Sequence, residues 1–223
     1  MSLEMLNIEQ IESSIGIVVS ILCTACVLAK RRWPNADIRL FARGFFGIGL
    51  LADSYWGIYA AIYGVTPTYF YVAELGWLAQ ELFLALLVVE TYRMEGTSKI
   101  HPAAWVAPAV IAVLTVWFIA TSGQTIISIL TGGALGFVSL VSLSALLTTR
   151  QDRVRGIERH CGLYAAVFAF VVLEHLLWSA SILVEDWSVM NAYYWINLAL
   201  FGSLIAILVA TVRIGDPLNE ADA

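Results

Sequence analysis

The sequence predicts an all-α fold: a seven-transmembrane-helix bundle with its N-terminus outside and its C-terminus cytoplasmic. Three observations predict it. Sixty per cent of the 223 residues are hydrophobic and 13% are charged, against a charged fraction of ~25% in a typical soluble domain. The apolar residues collect into seven stretches, each near the ~20 residues that a spanning helix needs. All twelve Lys and Arg fall on alternate connections. Lys30, Arg31, Arg32, Arg39 and Arg43 follow the first stretch, and Arg93 and Lys99 follow the third. Arg150, Arg153, Arg155 and Arg159 follow the fifth, and Arg213 closes the seventh. Positive charge in short loops marks the cytoplasmic side, so the alternation predicts helix count and orientation together.

The first helix is expected over 13–33, stopped by Trp33-Pro34. It follows the acids Glu4, Glu9 and Glu12 and no small-residue cleavage pattern, so it reads as a retained helix. The second, 39–64, returns to a turn at Val65-Thr66-Pro67-Thr68. The third covers 69–93 and the fourth 102–120. The fifth, 125–149, carries Gly132, Gly133 and Gly136, which suit close helix contact. The sixth covers 159–184 and the seventh 186–213. Residues 1–214 thus read as a single membrane domain and 215–223 as a short cytoplasmic tail. Tyr63, Tyr69 and Trp187 at one set of ends, and Trp33, Tyr92 and Trp105 at the other, match headgroup-level aromatic anchors.

Charge in the spans is the functional signal. Asp53, Glu81, Glu174 and Asn197 lie ten to twelve residues from the outer ends of helices two, three, six and seven, a common depth of about 16 Å at 1.5 Å per residue. Ionisable groups at that depth are costly and mark candidate sites. Helical spacing adds neighbours: Trp56 near Asp53, Glu74 and Trp77 on the face of Glu81, Trp178 one turn from Glu174, and Tyr194 one turn from Asn197. His175 sits beside Glu174, about 100° round the helix. Acids interleaved with Trp and Tyr suit an organic cation, through charge and the aromatic quadrupole. The same acids would serve a proton relay or a hard metal ion, and a purely structural polar layer is the competing reading.

Other patterns carry less. The Cys23-Thr24-Ala25-Cys26 spacing lies inside an apolar helix, without the strand–turn–helix context of a redox motif. His101, His160 and His175 are scattered, with no zinc-type spacing. There is no Gly-x-Ser-x-Gly and no nucleotide-binding loop, so no catalytic residue is assigned. A net charge of −5 with no basic stripe excludes nucleic acid as the expected partner.

Seven helices, an outside N-terminus, short loops and the acid-and-Trp third helix resemble the microbial rhodopsins. Leu177-Trp178-Ser179-Ala180 is similar to that family's retinal-flanking segment, and Phe201-Gly202 with the short acidic tail extends the resemblance. The family's retinal is held by a lysine in the middle of helix seven. Residues 186–212 contain none, so covalent retinal is excluded, and no other cofactor is named by the sequence. The topology also resembles the seven-helix input modules of bacterial sensor kinases and cyclases. The short tail then implies a separate signalling partner protein.

The sequence therefore reads as a receptor- or sensor-type multi-pass protein of a prokaryotic inner (plasma) membrane, embedded in the lipid bilayer. Its pocket would take a small cationic or protonatable ligand. Asp53, Glu74, Glu81 and Glu174 would supply charge, Trp56, Trp77, Trp178 and Tyr194 the walls, and His175 and Asn197 hydrogen bonds. The alternative is a small transporter or proton-coupled channel using the same carboxylates, with a membrane enzyme third.

Overall fold

The computed structural model describes residues 3–64, 72–96, 99–123, 125–153, 160–183 and 192–214. Side chains are described for these except 3–10, 122, 150–153 and 178–183. The expected turn at 65–68 and the tail 215–223 lie outside the described residues, as do the anchors Tyr69 and Trp187.

Seven α-helices make up the described chain: α1 Leu3–Ala29, α2 Ala36–Tyr63, α3 Val72–Met94, α4 Val106–Ser122, α5 Thr125–Arg153, α6 Cys161–Leu183 and α7 Ala192–Val212. A 3₁₀ turn, Pro102–Trp105, leads into α4. Six of the helices are long and apolar enough to cross a membrane, and the stretch Cys161–Leu177 of α6 is apolar. The chain is an all-α, multi-pass bundle.

Local chemistry sets the ends. Asn35 caps α2 by accepting from the Ile38 N–H at 2.7 Å, with Asp37 in the first turn, where a carboxylate suits the helix dipole. That polar turn starts α2 three residues before the hydropathy does. α1 likewise begins ten residues early, taking the acidic Glu4, Glu9 and Glu12 into the helix. It stops where the Trp33 indole donates to the Lys30 carbonyl, 2.9 Å. Gly64 (φ 66°) and Gly123 (φ 72°) close α2 and α4 in the left-handed conformation, which glycine adopts without a Cβ penalty. α7 is described from Ala192, and its expected start at 186 lies outside the described residues.

Six helices form a closed ring in the order α1, α2, α3, α5, α6, α7, and α4 packs outside it on α5. Small residues set the closest approaches. A Cβ on Gly76 would lie 2.8 Å from the Ala52 Cβ, one on Gly49 2.3 Å from Gln80, and one on Gly132 2.3 Å from Thr115. The last contact lets α4 lie close on α5, as the glycine pattern predicts. On the outside, Leu51, Ile62, Val113, Val116 and Ile126 are two-thirds or more exposed, as a lipid-facing surface requires.

α3 and α6 meet across the ring along an antiparallel seam. From its middle to one end, Glu81 has Glu174 as its electrostatic neighbour, Tyr92 stands edge-on to Tyr164, and Glu95 accepts from His160. One number rises as the other falls, as antiparallel helices require.

The basic loops lie at one pole of the bundle. There Lys30 Nζ donates to the Val212 carbonyl and Asn35 to Glu90 at 3.1 Å. The Tyr92 hydroxyl reaches the Lys99 carbonyl at 2.9 Å and Thr148 at 3.1 Å. These bonds join the C-terminal ends of α1, α3, α5 and α7 to the start of α2.

Candidate functional site

Asp53 is the centre of a knot that ties three helices. Ser20 on α1 donates to Oδ2 at 2.6 Å, and the Trp77 indole on α3 donates to Oδ1 at 3.0 Å. The Trp77 ring lies against Trp56, centroids 5.5 Å apart and planes 49° apart. The expected acid-and-Trp face therefore exists, but the Trp77 N–H is already committed to the protein. Glu74 stands in the first turn of α3, three residues before Trp77.

Glu81 is placed differently. It is 3% exposed, and its Oε2 accepts no hydrogen bond from any described residue. Its ionisable neighbour is Glu174 on α6, which also lies within electrostatic range of Asp53. Such an unmet carboxylate oxygen costs about 1–3 kcal/mol, and more when charged. Three of the four expected midplane groups are therefore linked electrostatically through Glu174.

The fourth does not. Asn197 donates to Glu12 on α1, and the offset of 185 residues that links them also links Gly16 to Phe201. α1 and α7 are thus parallel and in register. Glu12 lies eight residues before Ser20, so the Asn197 contact sits about 12 Å from the Asp53 knot, toward the opposite pole. The register of α7 on α1 is the reason: it sets Asn197 level with Glu12, about two turns from Ser20. Tyr194 is one turn further out, buried and edge-on to Tyr193.

His175 points elsewhere too. With Thr115, Phe118, Ser128, Thr131 and Gly132 it lines a small cavity between α4, α5 and α6, on another face of α6 from Glu174. The Trp178 side chain lies outside the described residues. Among the described residues, no three His, Cys, Asp or Glu side chains are grouped to hold a metal ion.

Beneath the Glu81–Glu174 pair, toward the basic pole, the bundle is filled by apolar side chains. Phe45 meets Phe46 at 4.7 Å and Phe170 at 5.9 Å, both edge-on, and all three are at most 4% exposed. Leu84, Val88, Val167 and Ile207 are fully buried in the same cluster. This apolar floor separates the acids from the charged pole.

Two partners escaped the sequence reading, Ser20 and Glu12. The signal was present: Ser13, Gly16, Ser20 and Thr24 recur at helical spacing in an otherwise apolar segment. Thr24 and Ser20 turn toward α2, Thr24 donating to the Phe46 carbonyl at 3.0 Å, while Gly16 lies against Phe201 on α7.

At the basic pole, the Glu95 carboxylate accepts from the His160 N–H at 2.8 Å and lies 3.8 Å from its Nδ1. Burial holds the His160 imidazole below its usual value, while Glu95 pulls it the other way.

The chain matches no protein-family model, no curated protein and no solved structure. The resemblance to microbial rhodopsins therefore carries no residue role beyond the sequence motifs themselves.

Proposed function

We propose that the chain is a receptor- or sensor-type protein of the inner membrane that takes a small cationic or protonatable ligand at the Glu81–Glu174 pair. The observation that carries this reading is the Glu81 oxygen, buried beside a second carboxyl group and given no donor by any described residue. A proton or cation would supply what the helices do not. Asp53 belongs to the frame of this site: its two donors fix α1 and α3 against α2. The apolar floor favours access from one side, from the pole away from the basic loops. That separates this reading from the transporter alternative, in which the floor would have to open. The signal would pass to a separate partner protein.

The test is a thermal-shift screen of tetramethylammonium, spermidine, Na⁺ and Mg²⁺ on wild type and on Glu81→Gln. Losing a buried charge pairing costs on the order of 2–5 kcal/mol, so the variant's Kd should rise more than tenfold. A probe that stabilises both proteins equally places binding elsewhere. Gradient-driven uptake of a binding probe into proteoliposomes would establish transport instead.

A further inference from the structure

We propose that the corner where α1 meets α2 at the basic pole is a binding site for one anionic phospholipid. Arg39 and Arg43 hold its phosphate, and Arg31 and Arg32 close the site from the loop. Its acyl chains lie along the exposed outer faces of the two helices.

The register of the helices brings these arginines together. α2 meets α1 through Gly57 against Ile17, Asp53 on Ser20, the Phe46 carbonyl on Thr24 and Arg43 on the Leu28 carbonyl. One number falls as the other rises, so the two helices run antiparallel. Residues 57, 53, 46 and 43 form one stripe at helical spacing, and Arg39 continues it by a turn. Four residues rise about 6 Å. That step carries Arg39 past the end of α1, to the level of Arg31 and Arg32.

The charge gathered there is not spent on the protein. Residues 28–43 hold Lys30, Arg31, Arg32, Arg39 and Arg43 against a single acid, Asp37. Among the described residues, none of the four arginines is ion-paired. Arg43 gives one N–H to the Leu28 carbonyl at 3.4 Å, a bond that caps the end of α1. A guanidinium has five N–H donors, and the Arg43 Nε is buried with no acceptor among the described residues. Two other cations of this pole are engaged: Lys30 Nζ bonds the Val212 carbonyl, and Arg93 lies 3.9 Å from Glu90.

The surroundings select the ligand. Leu28 and Leu40 are 57% and 58% exposed, so apolar surface on both helices borders the Arg43 guanidinium. Arg31, Arg32 and Arg39 are exposed. Beside them Lys30 Nζ stands 5.3 Å over the Trp33 ring, an aromatic residue of the kind that marks headgroup level. A phosphate accepts from the planar guanidinium fork through two oxygens. A choline or ethanolamine headgroup would bring its own cation into this cluster, so an anionic lipid is favoured over a zwitterionic one. Basic clusters next to a spanning helix attract anionic headgroups for this reason.

The test is a lipid titration of the full-length protein in neutral detergent, read by native mass spectrometry. Each cation near the surface contributes about fivefold to such binding. Wild type should therefore bind phosphatidylglycerol at least about tenfold more tightly than phosphatidylcholine with the same chains. The R39Q/R43Q variant should lose at least about tenfold in phosphatidylglycerol Kd and keep its phosphatidylcholine Kd. Because Arg43 also caps α1, R31Q/R32Q is the second variant, and it should weaken phosphatidylglycerol too. R93Q/K99Q removes two exposed cations from the same pole and should change nothing. Equal weakening by R31Q/R32Q and R93Q/K99Q would mean diffuse surface charge and overturns the site. So does an R39Q/R43Q protein that melts like wild type and keeps its lipid preference. Displacement of the lipid by an equal concentration of inorganic phosphate would show that the anion alone is bound, and it too overturns a lipid site.

Discussion

Asp53 and Glu81 are both acids within the membrane-spanning part of neighbouring helices, yet the fold treats them oppositely. Asp53 receives a hydroxyl from α1 and an indole N–H from α3. Glu81 is buried with an oxygen that no described residue serves. The first arrangement is polar glue of the kind that membrane bundles use to fix helix positions. The second is a cost the bundle carries, and such costs gather where a ligand or proton completes the structure. Depth and residue type alone do not tell a site from a joint; partner counts do.

The comparison predicts opposite responses to the same change. Asp53→Leu strands the Ser20 and Trp77 donors and should cost about 2–4 kcal/mol, read as a large fall in detergent thermal stability. Glu81→Leu removes a buried carboxyl group whose Oε2 no described residue serves, so it should stay within about 1 kcal/mol of wild type or exceed it. Equal losses in the two variants would break the contrast.

A smaller effect probes the frame around Asp53. Gly76→Ala sets a Cβ 2.8 Å from Ala52 and should cost about 1–3 kcal/mol through overpacking. Gly47→Ala meets nothing within 4 Å and should be neutral or stabilising, since alanine is favoured over glycine in a helix by up to about 1 kcal/mol. Smaller again is Trp77→Phe, which keeps an aromatic ring beside Trp56 but loses the indole donor. Interhelical hydrogen bonds in membranes average about 0.6 kcal/mol, so a melting shift of that order would confirm Trp77 as a joint.

The smallest effect lies at the basic pole. The folded protein holds His160 below the ordinary imidazole value, mainly through burial. As pH falls through about 6.5 the unfolded chain takes up a proton that the folded one resists. Stability present at neutral pH should therefore decline on acidification over that window, and His160→Gln should flatten the decline. An unchanged slope between pH 7.5 and 5.5 would remove His160 from the account.

Much of the architecture was legible because membrane insertion is governed by local composition. Segments such as the one from Ile11 to Ala29 must be apolar whatever they pack against, and the basic loops share a side whatever the ring order. The acid face of α3 was legible for a similar reason, since Glu74, Trp77 and Glu81 share a helix face by spacing alone. Asn197 shows the limit: its depth was counted from a hydropathic boundary, but the register of α7 on α1 sets it level with Glu12 rather than with Ser20. His175 shows another, because adjacency in sequence to Glu174 sends a helical side chain to a different neighbour. The sequence by itself determined the helices, their apolar exteriors and the polar residues they carry. The tertiary structure alone decided that α4 stands outside the ring, that Ser20 and Trp77 satisfy Asp53, and that Glu81 faces Glu174 above an apolar floor. Those are questions of which faces meet. They are settled by close contacts such as Gly76 on Ala52 and Gly132 on Thr115, which no single helix contains.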